Sequence, residues 1–363
     1  MIVGAGIAGL SLAHALARGG VEVELLEREP GPATEGAGLT LWPNAVRALR
    51  ELGLGEALES VAHPVREALT VTPRGETLMR VPLERLEPRF GPLVAVHRAE
   101  LLAALTDGLE VPIRYGARVK VESGTLRNGG TEVQADLIVG ADGIGSSVRE
   151  RVAPGVAPRP AGYVAWRGVA RTGEQTPSAA TEAMGEGRRF GLVPLSGGRT
   201  YWFAVLPNTG GGSARLAGRE ELAAQFANWH DPIGAVLAAP QQGRPSCLEI
   251  ADLPPLPRWR YGNAVLVGDA AHATTPNLGQ GAALALGDVA TLAPLLLSLP
   301  LREALGAYEQ ARKRHAEAIV RQSRAVGRSA QLSNPLACRL RNAVMRAIPP
   351  RLVERRFSAI LSA

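Results

Sequence analysis

Met1-Ile2-Val3-Gly4-Ala5-Gly6-Ile7-Ala8-Gly9-Leu10 opens the chain, and its spacing decides the first layer of the fold. Met1 to Val3 reads as the end of a strand. Ile7 to Arg18 reads as a helix with small residues turned to a sheet, and Val21 to Leu26 as a second strand. Gly4 permits a tight turn, Gly6 lets a pyrophosphate approach the backbone, and Gly9 lets the helix pack closely on the strand. The helix start, around Ile7 and Ala8, offers free N–H groups and partial positive charge to a phosphate. Glu27 ends the second strand, where an acid can accept hydrogen bonds from a ribose. A glycine loop alone does not say which dinucleotide binds, and a structural glycine turn is its competing reading. The feeding strand has about three residues where about five is usual, so a start upstream of Met1 is left open.

Working outward, Pro43 to Leu52 reads as a helix that begins on proline. Leu69 to Val81 reads as a hairpin around Pro73-Arg74-Gly75, and Arg98 to Thr106 as a helix. Short strands are expected near Val111 to Arg114, Arg118 to Glu122 and Thr131 to Gln134. Ala135 to Ala141 reads as a buried strand ending at Asp142-Gly143. From Pro154 proline and glycine become dense and aromatics concentrate. Strands near Gly162 to Val169, Arg189 to Pro194 and Thr200 to Leu206 imply an antiparallel sheet. Gly210-Gly211-Gly212 reads as a mobile loop. Asn263 to Val267 is again a buried strand, ending at Gly268-Asp269. A long helix is expected from about Gly279 to Leu297, and the remainder is helical with breaks at Pro335 and Pro349-Pro350.

Composition bounds the function. With 46% hydrophobic and 20% charged residues over 363 positions, a globular chain of two domains is expected. Cys247 and Cys338 make no disulfide framework, and no leader precedes the glycine loop, so a cytoplasmic protein is expected. No metal site is expected, because no Cys/His repeat or HExxH appears. The apolar run from Ala282 to Pro300 is broken by Asp288 and Pro294 and is not read as a membrane span. The net charge of +6 rests almost wholly on arginine. It could attract anions, but it reads more simply as scattered surface charge, and no nucleic-acid partner is expected.

Two further segments narrow the ligand. One is Ala141-Asp142-Gly143-Ile144-Gly145-Ser146-Ser147-Val148-Arg149. The other is Gly268-Asp269-Ala270-Ala271-His272-Ala273-Thr274-Thr275-Pro276-Asn277-Leu278-Gly279-Gln280-Gly281. Physically, the latter is a strand end, an acid, a prolyl loop and a glycine-started helix whose N–H groups can stabilise negative charge. With the glycine loop in order before them, these segments make the chain resemble the FAD-dependent aromatic hydroxylases, the group A flavoprotein monooxygenases of p-hydroxybenzoate hydroxylase type. The pattern is nearest to members acting on urate, salicylate and 3-hydroxybenzoate, and it runs from the first residue to about Arg314.

The resemblance implies an α/β fold: a Rossmann-like FAD-binding domain with a parallel sheet and helices, a smaller antiparallel-sheet substrate domain, and C-terminal helices. The FAD domain would take residues 1–68, 93–155 and 256–300, the substrate domain 69–92 and 156–255, and the helical segment 301–363. FAD contacts are expected from Gly4, Gly6, Ile7, Ala8, Gly9, Glu27 and Arg28 on the first unit. Gly38 in Gly36-Ala37-Gly38-Leu39 and Arg98 at a helix start would follow. Asp142, Gly143, Asp269, Pro276, Gly279, Gln280 and Gly281 would complete the set. An arginine at a helix start opposes the dipole, so an anion between them would explain Arg98. Arg149 or Arg151 could meet phosphate or simply be solvated. Arg189, Tyr201 and Pro276 are the expected catalytic residues, with Arg189 facing an anionic substrate; Tyr201 could equally be packing, and Trp166, near Tyr163 on the adjacent strand, reads first as packing.

The implied activity is hydroxylation of a small, anionic aromatic or heteroaromatic ring with NAD(P)H and dioxygen, through a flavin C4a-hydroperoxide. No second glycine motif exists for a nicotinamide, so NAD(P)H is expected as a transient co-substrate. The protein is expected to be a monomer or homodimer. Alternatives are a reductase or halogenase of the same fold, although the halogenase Trp-x-Trp segment is missing. A non-catalytic flavin-binding membrane-associated module is another. Arg339, Arg341, Arg346, Arg351, Arg355 and Arg356 motivate it, but these read first as a solvated or dimer-packing tail, and membrane association is not expected.

Overall fold

Gly9 sits so close to the preceding turn that a β-carbon there would lie 1.8 Å from the Gly4 carbonyl oxygen. This contact presses the helix Ile7–Arg18 onto the strand Ile2–Val3, and Gly4 takes φ +106° to make the turn between them. The computed structural model describes residues 1–122, 124–208 and 218–362, so the glycine run at 210–212 lies outside the described residues.

Ile2–Val3 is central in a six-stranded sheet ordered Arg260–Tyr261, Ala264–Leu266, Ile138–Gly140, Ile2–Val3, Leu25–Leu26, Ile113–Arg114. All neighbours are parallel except the first pair. The strands are short and both faces are covered, which is why they read as plain apolar runs. The expected strand Val21 to Leu26 contracts to Leu25–Leu26, because Val21 lies in the turn that closes the first helix, its N–H donating to the Leu16 carbonyl.

The second layer is a seven-stranded sheet ordered Ser246–Asp252, Arg159–Arg171, Arg199–Pro207, Arg189–Leu195, Ala180–Met184, Ala68–Val71, Thr77–Val81. The hairpin expected at 69–81 joins it through a parallel pairing of Ala68–Val71 with Ala180–Met184. Two of its strands, Ala180–Met184 and Ser246–Asp252, were not legible. The first is short and alanine-rich, and the second buries only Asp252 fully. The helix Leu83–Phe90 was also missed; it carries Pro88 and buries only Leu83 and Leu86.

The helix Gly281–Ser298 is long and apolar enough to cross a membrane by length and composition. It packs instead against Ile7–Arg18, Pro43–Glu51 and Leu301–Ala330, burying Leu284, Leu286, Val289, Leu292 and, fully, Asp288. It begins at Gly281 rather than Gly279, because Gly279 ends the short turn Pro276–Leu278 in a left-handed conformation, φ +63°. The helices Leu301–Ala330, Pro335–Ala347 and Pro350–Leu361 follow, with the breaks at the expected prolines.

Candidate active site

A cavity of about 1570 Å³ runs between the two sheets. One end is walled by Gly4, Gly6, Ile7, Ala8, Glu27, Arg28, Arg98, Asp142 and Gly143, and Gly38 lines the cavity further along, beside Tyr201. The loop residues Asp269, Pro276, Gly279 and Gly281 line its middle, and Arg189 and Tyr201 its far end. Most of the residues singled out in the sequence therefore share one space. Two do not line it. Gly9 lies behind the turn, against Gly4. The buried Gln280 side chain accepts from Asn44 Nδ2 at 2.9 Å and ties the loop to the helix Pro43–Glu51. Arg28 is at the rim, ion-paired with Glu29 at 3.3 Å.

At the glycine end the backbone is held by acids. Glu27 accepts from the Ala5 N–H at 2.8 Å and the Glu29 N–H at 3.0 Å, fixing the loop that carries Gly6. Asp142 accepts from Ser146 Oγ at 2.5 Å and from the Ser147 N–H at 2.7 Å. Both of its oxygens thus serve the start of the helix Ser147–Val152, which fixes the turn at Gly143. Arg149 is corrected from a phosphate candidate to an internal strut. It is buried and donates to the carbonyls of Ile144, Val156 and Ala270. Arg151 donates to Asn263.

The fit to a dinucleotide rests on what the protein leaves unsatisfied. A β-carbon at Gly6 would meet nothing within 4 Å, so protein packing does not require a glycine there; close approach of a ligand would. Among the described residues, the side chains of Arg98 and Asp269 have no hydrogen-bond partner, although both stand on the cavity wall. Burial pushes the Asp269 carboxyl up, against the pull of His272 and Arg98. Burial and then the neighbouring Arg167 lower Arg98, with Asp269 and Glu27 opposing. A phosphate for Arg98 and sugar hydroxyls for Asp269 would satisfy both. The strand Gly38–Leu41 passes between the two ends. A β-carbon at Gly38 would lie 2.3 Å from Tyr201 Cβ, so glycine makes room for that ring.

Behind Asp269 lies a buried ionic group the sequence did not reveal. Asp288 accepts from His272 Nε2 at 2.5 Å, Arg312 Nε at 3.0 Å and the Gly268 N–H at 2.9 Å. It thereby pins the turn that presents Asp269 to two helices. The interruption of an apolar run by Asp288 was the available signal.

At the far end, Arg189 donates to Glu182 at 2.8 Å, Gln331 at 2.9 Å and Asn277 at 3.0 Å. The expected substrate-facing cation is therefore a clamp joining the sheet, the prolyl loop and Gln331, which caps the helix Leu301–Ala330. Asn277 also donates to the Tyr163 hydroxyl at 2.9 Å, and Trp166 packs on the opposite face of the sheet. The buried Tyr201 hydroxyl is pushed up to about 12 by burial, with Arg167 opposing. Arg167 lines the cavity too, and its Nε is buried without a partner among the described residues. Among the described residues, no group of three or more His, Cys, Asp or Glu side chains is placed to hold a metal ion.

The chain is similar to known proteins along nearly its whole length. A family model of FAD binding domains matches residues 1–323. An aurachin C monooxygenase/isomerase of Stigmatella aurantiaca is 35% identical over 370 residues, covering 98% of this chain and 96% of its own. A 2-heptyl-3-hydroxy-4(1H)-quinolone synthase of Pseudomonas aeruginosa is 37% identical over 382 residues, covering 99% and 98%. The solved structure of Klebsiella pneumoniae HpxO complexed with FAD and uric acid is 30% identical, covers 100% of this chain with 96% of its own, and superposes with a TM-score of 0.88. The chain belongs to the FAD-binding-domain family and is an FAD-dependent monooxygenase.

Proposed function

We propose that the enzyme uses NAD(P)H and dioxygen to hydroxylate a small, flat aromatic or heteroaromatic ring held at the sheet end of the cavity. The observation that supports it most is the continuity of one cavity from an unsatisfied dinucleotide cradle to a sheet face. The cradle is Gly4, Gly6, Glu27, Arg98, Gly143 and Asp269; Pro276, Gly279 and Gly281 form the junction. Bound FAD would supply the electron-transfer and oxygen chemistry, which no side chain here could.

The protein's own part is to bind, orient and dry the site. The start of the helix Gly281–Ser298 turns N–H groups toward the junction, where negative charge is stabilised. The Arg189–Asn277 contact holds the prolyl loop against the sheet and keeps bulk water from the reacting edge.

The sheet supports a reading of the substrate. Strand pairing sets Arg167, Phe203, Gly191 and Glu182 in one row across four strands. The Phe203 ring fills the space above Gly191, where a β-carbon would lie 2.0 Å from it. This gives an apolar floor with a cation at one end and a carboxylate at the other, about 14 Å apart at about 4.8 Å per strand. A ring with an acceptor edge toward Arg167 and an N–H or O–H edge toward Glu182 suits the row better than a simple carboxylate, since Arg189 already carries its counter-charge.

The test is a screen of such rings for substrate-stimulated NAD(P)H oxidation, with hydrogen peroxide and hydroxylated product measured together. Product formation in step with oxidation is expected. A yellow protein whose oxidation rate no aromatic ring changes would overturn the reading.

A further inference from the structure

The helix Pro335–Ala347 covers the edge strand Thr77–Val81 with one face, burying Cys338 and Arg341. Its other face is apolar and bare. Leu336, Leu340 and Val344 are 71%, 67% and 55% exposed at four-residue intervals, which aligns them in one stripe. Arg339 and Arg346 border one side of that stripe. The next helix, Pro350–Leu361, also lies on Thr77–Val81 and exposes Leu352. Beside it is a groove of about 390 Å³ whose lining includes Arg85, Arg89, Arg351 and Arg355, with Glu354 as its one acid. Exposed leucines scattered singly need no explanation. A continuous stripe does, bordered by the exposed Arg339 and by Arg346, which pairs with Glu76.

We propose that this face docks the enzyme on an anionic phospholipid surface. The leucine stripe would enter the acyl boundary, and the arginines would remain at the level of the phosphates, the arrangement of an interfacial helix. Charge selects this occupant over a second copy of the chain. Of the six arginines from Pro335 onward, Arg341 is buried and Arg346 pairs with Glu76, but Arg339, Arg351, Arg355 and Arg356 are exposed, against Glu354 as the one acid of that stretch; a two-fold contact would set these cations against themselves. The groove takes a phosphate-bearing headgroup on the same side. The face is also joined to the cavity. Phe357 stacks on Trp42 with ring centroids 4.8 Å apart, and Trp42 stands over Gly279 in the prolyl loop.

The full-length holoenzyme is floated with vesicles of phosphatidylcholine alone and with about a third phosphatidylglycerol, at low and raised salt. Flotation is expected with the anionic vesicles, weakened by salt. Leu340→Asp, and separately the pair Arg339→Gln and Arg355→Gln, should each reduce binding about tenfold or more. FAD content and turnover of a soluble substrate should not change, which separates lost docking from lost folding. Absence of flotation on anionic vesicles overturns the proposal, as does flotation that neither variant weakens. It is equally overturned if Leu340→Asp converts a dimer to a monomer in sedimentation while vesicle binding is absent.

Discussion

The Tyr201 ring and Gly38 occupy adjoining space so closely that no side chain can be added to Gly38 without moving the ring. Gly38 is in a strand, so its φ needs no glycine; the ring does. Gly38→Ala should therefore act on the substrate end of the cavity. The overpacking costs about 1–3 kcal/mol, read as a lower Tm. Substrate KM should rise while FAD content is retained. An unchanged KM in a folded variant would show that Tyr201 does not shape the substrate end.

Gly6 and Gly9 should respond oppositely. Gly6→Ala has open space and should change apoprotein stability by no more than about 0.5 kcal/mol, yet weaken FAD binding strongly. Gly9→Ala drives a methyl into the Gly4 carbonyl and should destabilise the fold itself by about 1–3 kcal/mol or more. Apoprotein melting and FAD titration of both variants check this. Equal FAD affinity in Gly6→Ala and wild type would remove the cradle assignment.

Arg189→Ala leaves Glu182 without its cation and Asn277 without its donor. Substrate KM should rise about tenfold, about 1.4 kcal/mol, and the share of NAD(P)H oxidised to peroxide should increase as water reaches the junction. Unchanged coupling would show that the clamp does not close the site.

Burial alone would raise Asp288, but His272, Arg312 and the Gly268 N–H outweigh it and hold the carboxyl below its usual range. Its folded pKa is thus below the unfolded value of about 3.9. The stability it contributes is complete above that value and is lost as pH falls through the folded pKa. Asp288→Asn should cost about 3–5 kcal/mol at neutral pH, and the gap to wild type should shrink only below about pH 4. Urea midpoints across pH measure it; a gap that closes already between pH 7 and 5 would point to a different group.

Burial pushes the Tyr201 hydroxyl up to about 12. Its raised pKa contributes stability that is present below the unfolded value of about 10 and lost as pH rises through the folded one. The pH–rate profile should therefore carry no tyrosine limb up to about pH 10. A limb in that range that disappears in Tyr201→Phe would contradict the buried neutral phenol.

The helix bounds Ile7–Arg18 and Arg98–Thr106 were legible because local periodicity and a glycine or proline boundary agree there. The cradle was legible because its residues are close in sequence and chemically constrained. What escaped depends on partners far along the chain. Nothing near Arg189 announces Gln331, which is 142 residues away, and nothing near His272 announces Arg312. Glu182 was hidden because its strand has little β character and forms by pairing with Ala68–Val71. Arg149 misled in a related way: a surface-looking arginine is drawn inward by the nearby carbonyls of Ile144 and Val156 and by the distant one of Ala270.

Phe203 lies in the gap that Gly191 leaves on the neighbouring strand, so the pocket floor is one detachable tile set into the sheet. Removing the tile by Phe203→Ala would deepen the site over a strand that has no side chain of its own, without touching the prolyl loop. Fused or alkyl-bearing rings would then gain access that single rings do not need. Filling the gap with a larger residue at position 191 would do the reverse. This pair is where the breadth of the enzyme's substrate range can be redrawn, one side chain at a time.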